Sequence, residues 1–162
     1  MLVSKPTAKP LRISVWNANG LCKHTQEIIQ FLQIFDMDIL LISETHFTSR
    51  SYIKVPSNIV YKTQHPDETA HGGAAIIIRQ KVKHIREEYK QVLIQATSIV
   101  LQDDTGELNI AALYSPPKHV SKEVDYTRVF HTLGQIPSGR RLQCKTCDVG
   151  RKNHNNQRKG AP

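Results

Sequence analysis

Two stretches decide the fold, Leu11-Arg-Ile-Ser-Val-Trp-Asn17 and Asp38-Ile-Leu-Leu-Ile-Ser-Glu44. In the first, Leu11, Ile13 and Val15 alternate with other side chains, the two-residue period of a strand. The second is a short continuous apolar run, the pattern of a strand covered on both faces. Between them, Thr25-Gln-Glu-Ile-Ile-Gln-Phe-Leu-Gln-Ile-Phe35 sets apolar groups at 28, 31, 32 and 35. That is helical spacing, and Thr25 is its expected N-cap. Strand, helix and strand in so short a span make a βαβ unit, because parallel strands need a crossover.

Outward from this unit, further strands are predicted at 73–79, 94–102 and 107–115, with Asp103-Asp-Thr-Gly106 as a hairpin-like turn between the last two. A helix is predicted over 121–133, with Val124, Val129 and Leu133 as its apolar positions. Residues 1–10 read as a disordered leader. From 136 to 162 there is no sustained periodicity and almost no apolar content, so this tail is also expected to be disordered.

Of the 162 residues, 39% are hydrophobic and 22% charged, ordinary for one domain with a real core. No run of eighteen apolar residues and no signal-type apolar segment occurs, so no membrane span and an intracellular location are expected. Three cysteines do not suggest a disulfide framework. The net charge of +8 is unevenly placed: residues 137–162 hold seven Lys/Arg and one acid, against fifteen and thirteen in residues 1–136. A basic tail of this kind either binds phosphates without reading sequence or is simply a solvated end.

The groups able to do chemistry stand at predicted strand ends, where ligands gather in open α/β sheets. Trp16-Asn-Ala-Asn-Gly-Leu21 offers Asn17 and Asn19, whose amides suit a carboxylate or phosphate; Asn-Gly also makes an ordinary turn. In Ile42-Ser-Glu-Thr-His46, Glu44 leaves a buried strand, where a carboxylate is costly unless solvated, paired or holding a cation. Mg²⁺ is such a cation, since it takes oxygen ligands and often only one or two carboxylates. His46 beside it is as readily a surface residue. His71-Gly-Gly-Ala-Ala-Ile-Ile-Ile-Arg79 allows a close backbone approach or a plain tight turn. Leu113-Tyr-Ser-Pro-Pro117 ends a strand and presents Tyr114 either to a cleft or to the core.

The order of these segments resembles the endonuclease/exonuclease/phosphatase superfamily, and within it the endonuclease domain of jockey-like non-LTR retrotransposons, over about residues 11–135. The resemblance implies an apurinic-endonuclease/DNase-I-like four-layer α/β/β/α sandwich, with this chain supplying its N-terminal half. It implies Mg²⁺- or Mn²⁺-dependent hydrolysis of DNA phosphodiesters. Glu44 then matches the metal-binding glutamate, with Asn19 as a second ligand. Asn17 and Tyr114 match catalytic positions that contact the phosphate. A reverse transcriptase domain and a nuclear site of action are expected for the intact element.

Two motifs that the family places after the tyrosine, Gly-Asp-x-Asn and Ser-Asp-His, are not found: His119, His131 and His154 do not follow Ser-Asp. Residues 140–150 can be written with codons whose adjacent frame reads Gly-Gly-Asp-Tyr-Asn-Ala-Lys-His-Val-Met-Trp, the codons being chosen to favour the match. The expectation is a frameshifted copy, truncated at about residue 135, with little activity alone. A sandwich cut there is expected to leave one sheet uncovered. Cys144-Lys-Thr-Cys147 with His154 falls short of four nearby ligands, and no zinc is expected. Two other readings stand beside this one: a non-catalytic nucleic-acid-binding fragment using the tail, and a small-substrate phosphatase of the same superfamily.

Overall fold

An apolar pentapeptide flanked by polar residues is stable only where both of its faces are covered. In the computed structural model, Ile39–Ser43 (β2) is buried at every position and lies inside a four-stranded sheet. Its neighbours are Ile13–Asn17 (β1), parallel to it, and Ala74–Arg79 (β4), antiparallel. Asn58–Thr63 (β3) pairs with β4, giving the order β1-β2-β4-β3. A second, antiparallel sheet contains His84–Glu87 (β5), Gln95–Asp103 (β6) and Gly106–Tyr114 (β7) in sequence order. Helix α1, Thr25–Ile34, joins β1 to β2, and α2, Glu123–Gly134, follows β7. The structure describes residues 9–87, 94–103, 106–116 and 122–134. Most of the leader, and the tail from 136 with its cysteines, lie outside the described residues.

Strand alternation builds the layers. Ile39 and Leu41 of β2, with Ile76 and Ile78 of β4, face Ile99, Leu101, Ile110 and Ala112 of the second sheet. Their neighbours Leu40, Ile42, Ala75 and Ile77 point the other way, onto Ile28 and Leu32 of α1. On the far side, Ala96, Ala111 and Leu113 meet Val129 of α2, with Tyr126 and Phe130 beside it. The fold is thus a helix–sheet–sheet–helix sandwich. All four layers are present among the described residues, and each sheet carries a helix on its outer face. That corrects the expectation of an uncovered sheet: α2 supplies the fourth layer before residue 135. Among the described residues no helix is long and apolar enough to cross a membrane.

Local details differ from the sequence reading for identifiable reasons. β1 begins at Ile13, and Leu11 is exposed. Thr25 does not cap α1: a 3₁₀ turn, Leu21–His24, runs straight into the helix, and the Thr25 hydroxyl donates to the Cys22 carbonyl at 3.1 Å. β5 has only four residues and β3 is half-buried throughout, so neither carries a clear period-2 signal. At the end of the sheet where β1 and β2 start, Arg79 binds Asp36 (2.7 Å) and approaches buried Asp38 (3.5 Å). Asp38 also accepts from the Arg12 N–H.

Candidate active site

Parallel β1 and β2 finish at the same edge, where antiparallel β4 begins, so Asn17, Ser43 and Ala74 lie side by side in register. The hydrogen bonding does not stop there. Ala18 N donates to Ser43 O (3.0 Å), Gly20 N to Glu44 O (2.9 Å) and Leu21 N to Thr45 O (2.9 Å). On the other side, Thr45 N donates to Gly73 O (3.3 Å) and His46 N to Gly72 O (2.9 Å). The three post-strand segments 18–21, 44–46 and 72–73 are therefore laced into one platform.

This platform is strained. Asn19, Glu44 and His46 all have left-handed backbones, with φ of 42°, 54° and 54°. For residues with a Cβ that conformation costs about 1–2 kcal/mol each and recurs where structure is held for function. Asn19 meets part of the cost locally, since its N–H donates to the Asn17 side-chain oxygen at 3.2 Å. The Asn17 amide nitrogen makes no hydrogen bond among the described residues.

β7 brings Tyr114 to the platform from the second sheet. A Cβ on Gly72 would lie 2.6 Å from the Tyr114 ring, so the tyrosine packs directly on the glycine backbone. Burial pushes the Tyr114 phenol above its ordinary value, and the nearby Glu44 carboxylate adds to the effect. The half-buried Glu44 carboxylate has no hydrogen bond and no ion pair among the described residues, which is unusual for an anion leaving a buried strand. Glu44 and the asparagine side-chain carbonyls each offer oxygen, the hard donor type that Mg²⁺ takes.

All four residues singled out in the sequence, Asn17, Asn19, Glu44 and Tyr114, lie at this one end. The sequence reading missed the polar pins beneath them. Gln95 is 1% exposed, and its side-chain oxygen accepts from Gly73 N, while its Nε2 is buried with no hydrogen-bond partner found for it. Thr97 Oγ1 lies 2.8 Å from Thr63 Oγ1 and 3.1 Å from Ala74 O, tying the two sheets together. Lys62 donates to the carbonyls of Thr48 and Ser51, holding the segment after Glu44. The available signal was Gln95 and Thr97 alternating with Ile94 and Ala96 where β6 starts.

No protein-family model matches the chain. The RNA-directed DNA polymerase from mobile element jockey of Drosophila melanogaster is 32% identical over 133 residues, 79% of this chain and 14% of that protein. The endonuclease domain of TRAS1, a telomere-specific non-LTR retrotransposon, superposes with a TM-score of 0.64 at 17% identity, covering 85% of this chain and 60% of that one. The chain is a relative of the jockey mobile-element polymerases, with the fold of a retrotransposon endonuclease domain. AP endonuclease LMAP from Leishmania major has the same fold, with a TM-score of 0.53 at 12% identity over 75% of this chain and 44% of that one. The mixed sheets and layer order of this jockey-like chain are therefore those of the apurinic-endonuclease class. It spans about one seventh of the jockey protein's length.

Proposed function

We propose that residues 11–135 form part of a Mg²⁺-dependent DNA endonuclease domain, and that this chain by itself holds the site without completing it. The observation that carries the reading is the Glu44 carboxylate: half-buried at the end of a central strand, unpaired among the described residues, and close enough to act on the Tyr114 phenol. In this reading Glu44 and the Asn19 amide oxygen hold Mg²⁺ (Mn²⁺ can replace it), and the ion when bound polarises a phosphoryl oxygen. The Asn17 amide nitrogen and the Tyr114 hydroxyl donate to phosphate oxygens. The raised Tyr114 pKa helps, because a phenol that keeps its proton donates to an anion instead of repelling it. Gln95 and Gly72 hold the tyrosine in place.

The chain lacks the later Asp and His motifs, whose groups would position the water and steady the transition state. Losing one such contact commonly costs about two to three decades of rate, and losses within one catalytic unit do not add. The reading therefore includes inactivity alone, a frame displaced near Ile136, and an intact element that carries a reverse transcriptase and acts on DNA in the nucleus.

The test has two arms. Mn²⁺ binding by the purified chain, followed by electron paramagnetic resonance, is expected to weaken at least about tenfold in Glu44→Ala. Equal binding by both proteins overturns the metal assignment. Plasmid nicking with Mg²⁺ is expected to be absent; nicking that disappears in Glu44→Ala would show that the site is complete here and overturn the inactivity.

A further inference from the structure

The loop between β3 and β4 carries a second group of ligating side chains that the nuclease reading does not use. It runs His65-Pro-Asp-Glu-Thr-Ala-His71. One ligand atom from each of His65, Asp67 and His71 lies within 4.8 Å of the other two. The two imidazole rings stand 4.0 Å apart, and His71 Nε2 is 3.9 Å from the Asp67 carboxylate. His65 Nδ1 is 2.5 Å from the other Asp67 oxygen.

We infer that His65, Asp67 and His71 form a binding site for one divalent transition-metal ion of the zinc class. Two imidazoles and a carboxylate suit divalent transition metals such as Zn²⁺, Fe²⁺, Ni²⁺ and Cu²⁺, whereas Mg²⁺ and Ca²⁺ take oxygen almost exclusively. The geometry is close to what such an ion needs. A tetrahedral centre with bonds of about 2.0–2.1 Å sets its ligand atoms about 3.3 Å apart, so the wider pairs must close by at most about 1.5 Å and His65 and Asp67 must part slightly. His71 and Asp67 are half-exposed and can make that adjustment by side-chain rotation. His65 is the more buried anchor.

The carboxylate is already oriented without an ion. Thr69 donates to Asp67 through both its N–H (2.9 Å) and its hydroxyl (2.6 Å), the kind of outer contact that fixes a ligating carboxylate. Three protein ligands leave a fourth position open to water or to an anionic group.

The placement gives the site a consequence. His65 follows β3 by two residues, and His71 immediately precedes Gly72, whose carbonyl accepts from His46 N and whose backbone carries the Tyr114 ring. An ion held by both would staple the loop shut at its base, beside the platform that bears Glu44. The expectation of no zinc rests on the Cys144/Cys147 pair, and these three side chains are a separate ligand set.

The inference stands independently of the nuclease reading. Its test uses the full chain with Cys144→Ser and Cys147→Ser, which removes the tail thiols as competing ligands. Titration with Zn²⁺ is expected to show one ion per chain, and Co²⁺ to give visible absorption without thiolate charge transfer. His65→Ala and His71→Ala are each expected to weaken Zn²⁺ binding at least about tenfold, since even outer contacts to a metal ligand are worth that much. His24→Ala, at a histidine paired with Glu27 away from the loop, is expected to change nothing. Affinity in His71→Ala equal to that in His24→Ala would overturn the site, as would the absence of saturable binding in the parent protein. NMR of the imidazole protons serves as the second measurement: Zn²⁺ must shift those of His65 and His71 in the folded protein, and unshifted resonances count against the inference.

Discussion

Replacing Gly72 by alanine probes the contact that joins the two sheets at the candidate site. Gly72 has φ +63°, and the added methyl would lie 2.6 Å from Tyr114 Cε1 and 2.7 Å from Gln95 Oε1. A left-handed backbone costs an alanine about 1–2 kcal/mol. Overpacking a well-filled site costs about 1–3 kcal/mol more, because neither the ring nor the buried Gln95 can retreat freely. The expected loss is therefore about 2–5 kcal/mol, a large share of a typical domain stability of about 5–15 kcal/mol. Urea unfolding measures it, and Tyr114→Ala completes a double-mutant cycle. With the ring gone, the methyl keeps only its backbone and Gln95 costs. The double variant should then be about 1–2 kcal/mol more stable than the sum of the single losses predicts. A loss below about 1 kcal/mol in Gly72→Ala, or strict additivity, would refute the argument that the tyrosine ring packs on this glycine.

Other consequences follow from the same contacts. Arg79→Met leaves buried Asp38 without its guanidinium and should cost about 2–4 kcal/mol; a change below about 0.5 kcal/mol in urea unfolding would show the pair to be unimportant. Tyr114 has a folded-state pKa above its ordinary 10.0, so the stability it contributes is present below that pH and lost as pH rises through the folded value. Tyr114→Phe should accordingly lose less stability between about pH 9 and about pH 11 than the parent; equal alkaline losses would contradict the sign. Sequencing the coding DNA should show, in the frame adjacent to residues 140–150, an aspartate motif followed downstream by Ser-Asp-His. An adjacent frame without Gly-Asp-x-Asn rules out the frameshift.

The periodic signals were the dependable ones. β2 and β4 are runs of aliphatic residues with one covered face towards α1 and another towards the second sheet, and such runs have few alternatives to a buried strand. The β6–β7 hairpin and α2 were equally readable, their boundaries shifting by one or two residues. β3 was not, because half-buried positions on both faces erase alternation. The expectation of a bare sheet fails because α2 covers the second sheet with Val129, Tyr126 and Phe130, while Val124, an apolar position in the sequence reading, is exposed.

Local sequence by itself determined which segments become strands and helices, and that Asn17, Glu44 and Tyr114 stand at strand ends. Periodicity and turn chemistry act over a few residues, and a single chain displays them directly. Only the tertiary structure decided which ends meet. Parallel pairing of β1 with β2 puts Asn17 beside Ser43, and the packing of one sheet on the other brings Tyr114 from far along the chain onto Gly72. The left-handed backbones at Asn19, Glu44 and His46 depend on the same packing, and at Glu44 no local preference calls for one. Hydrogen bonds from segments 18–21 and 72–73 hold them there. The cluster of His65, Asp67 and His71 likewise exists only because β3 and β4 pair and fold the loop between them back on itself.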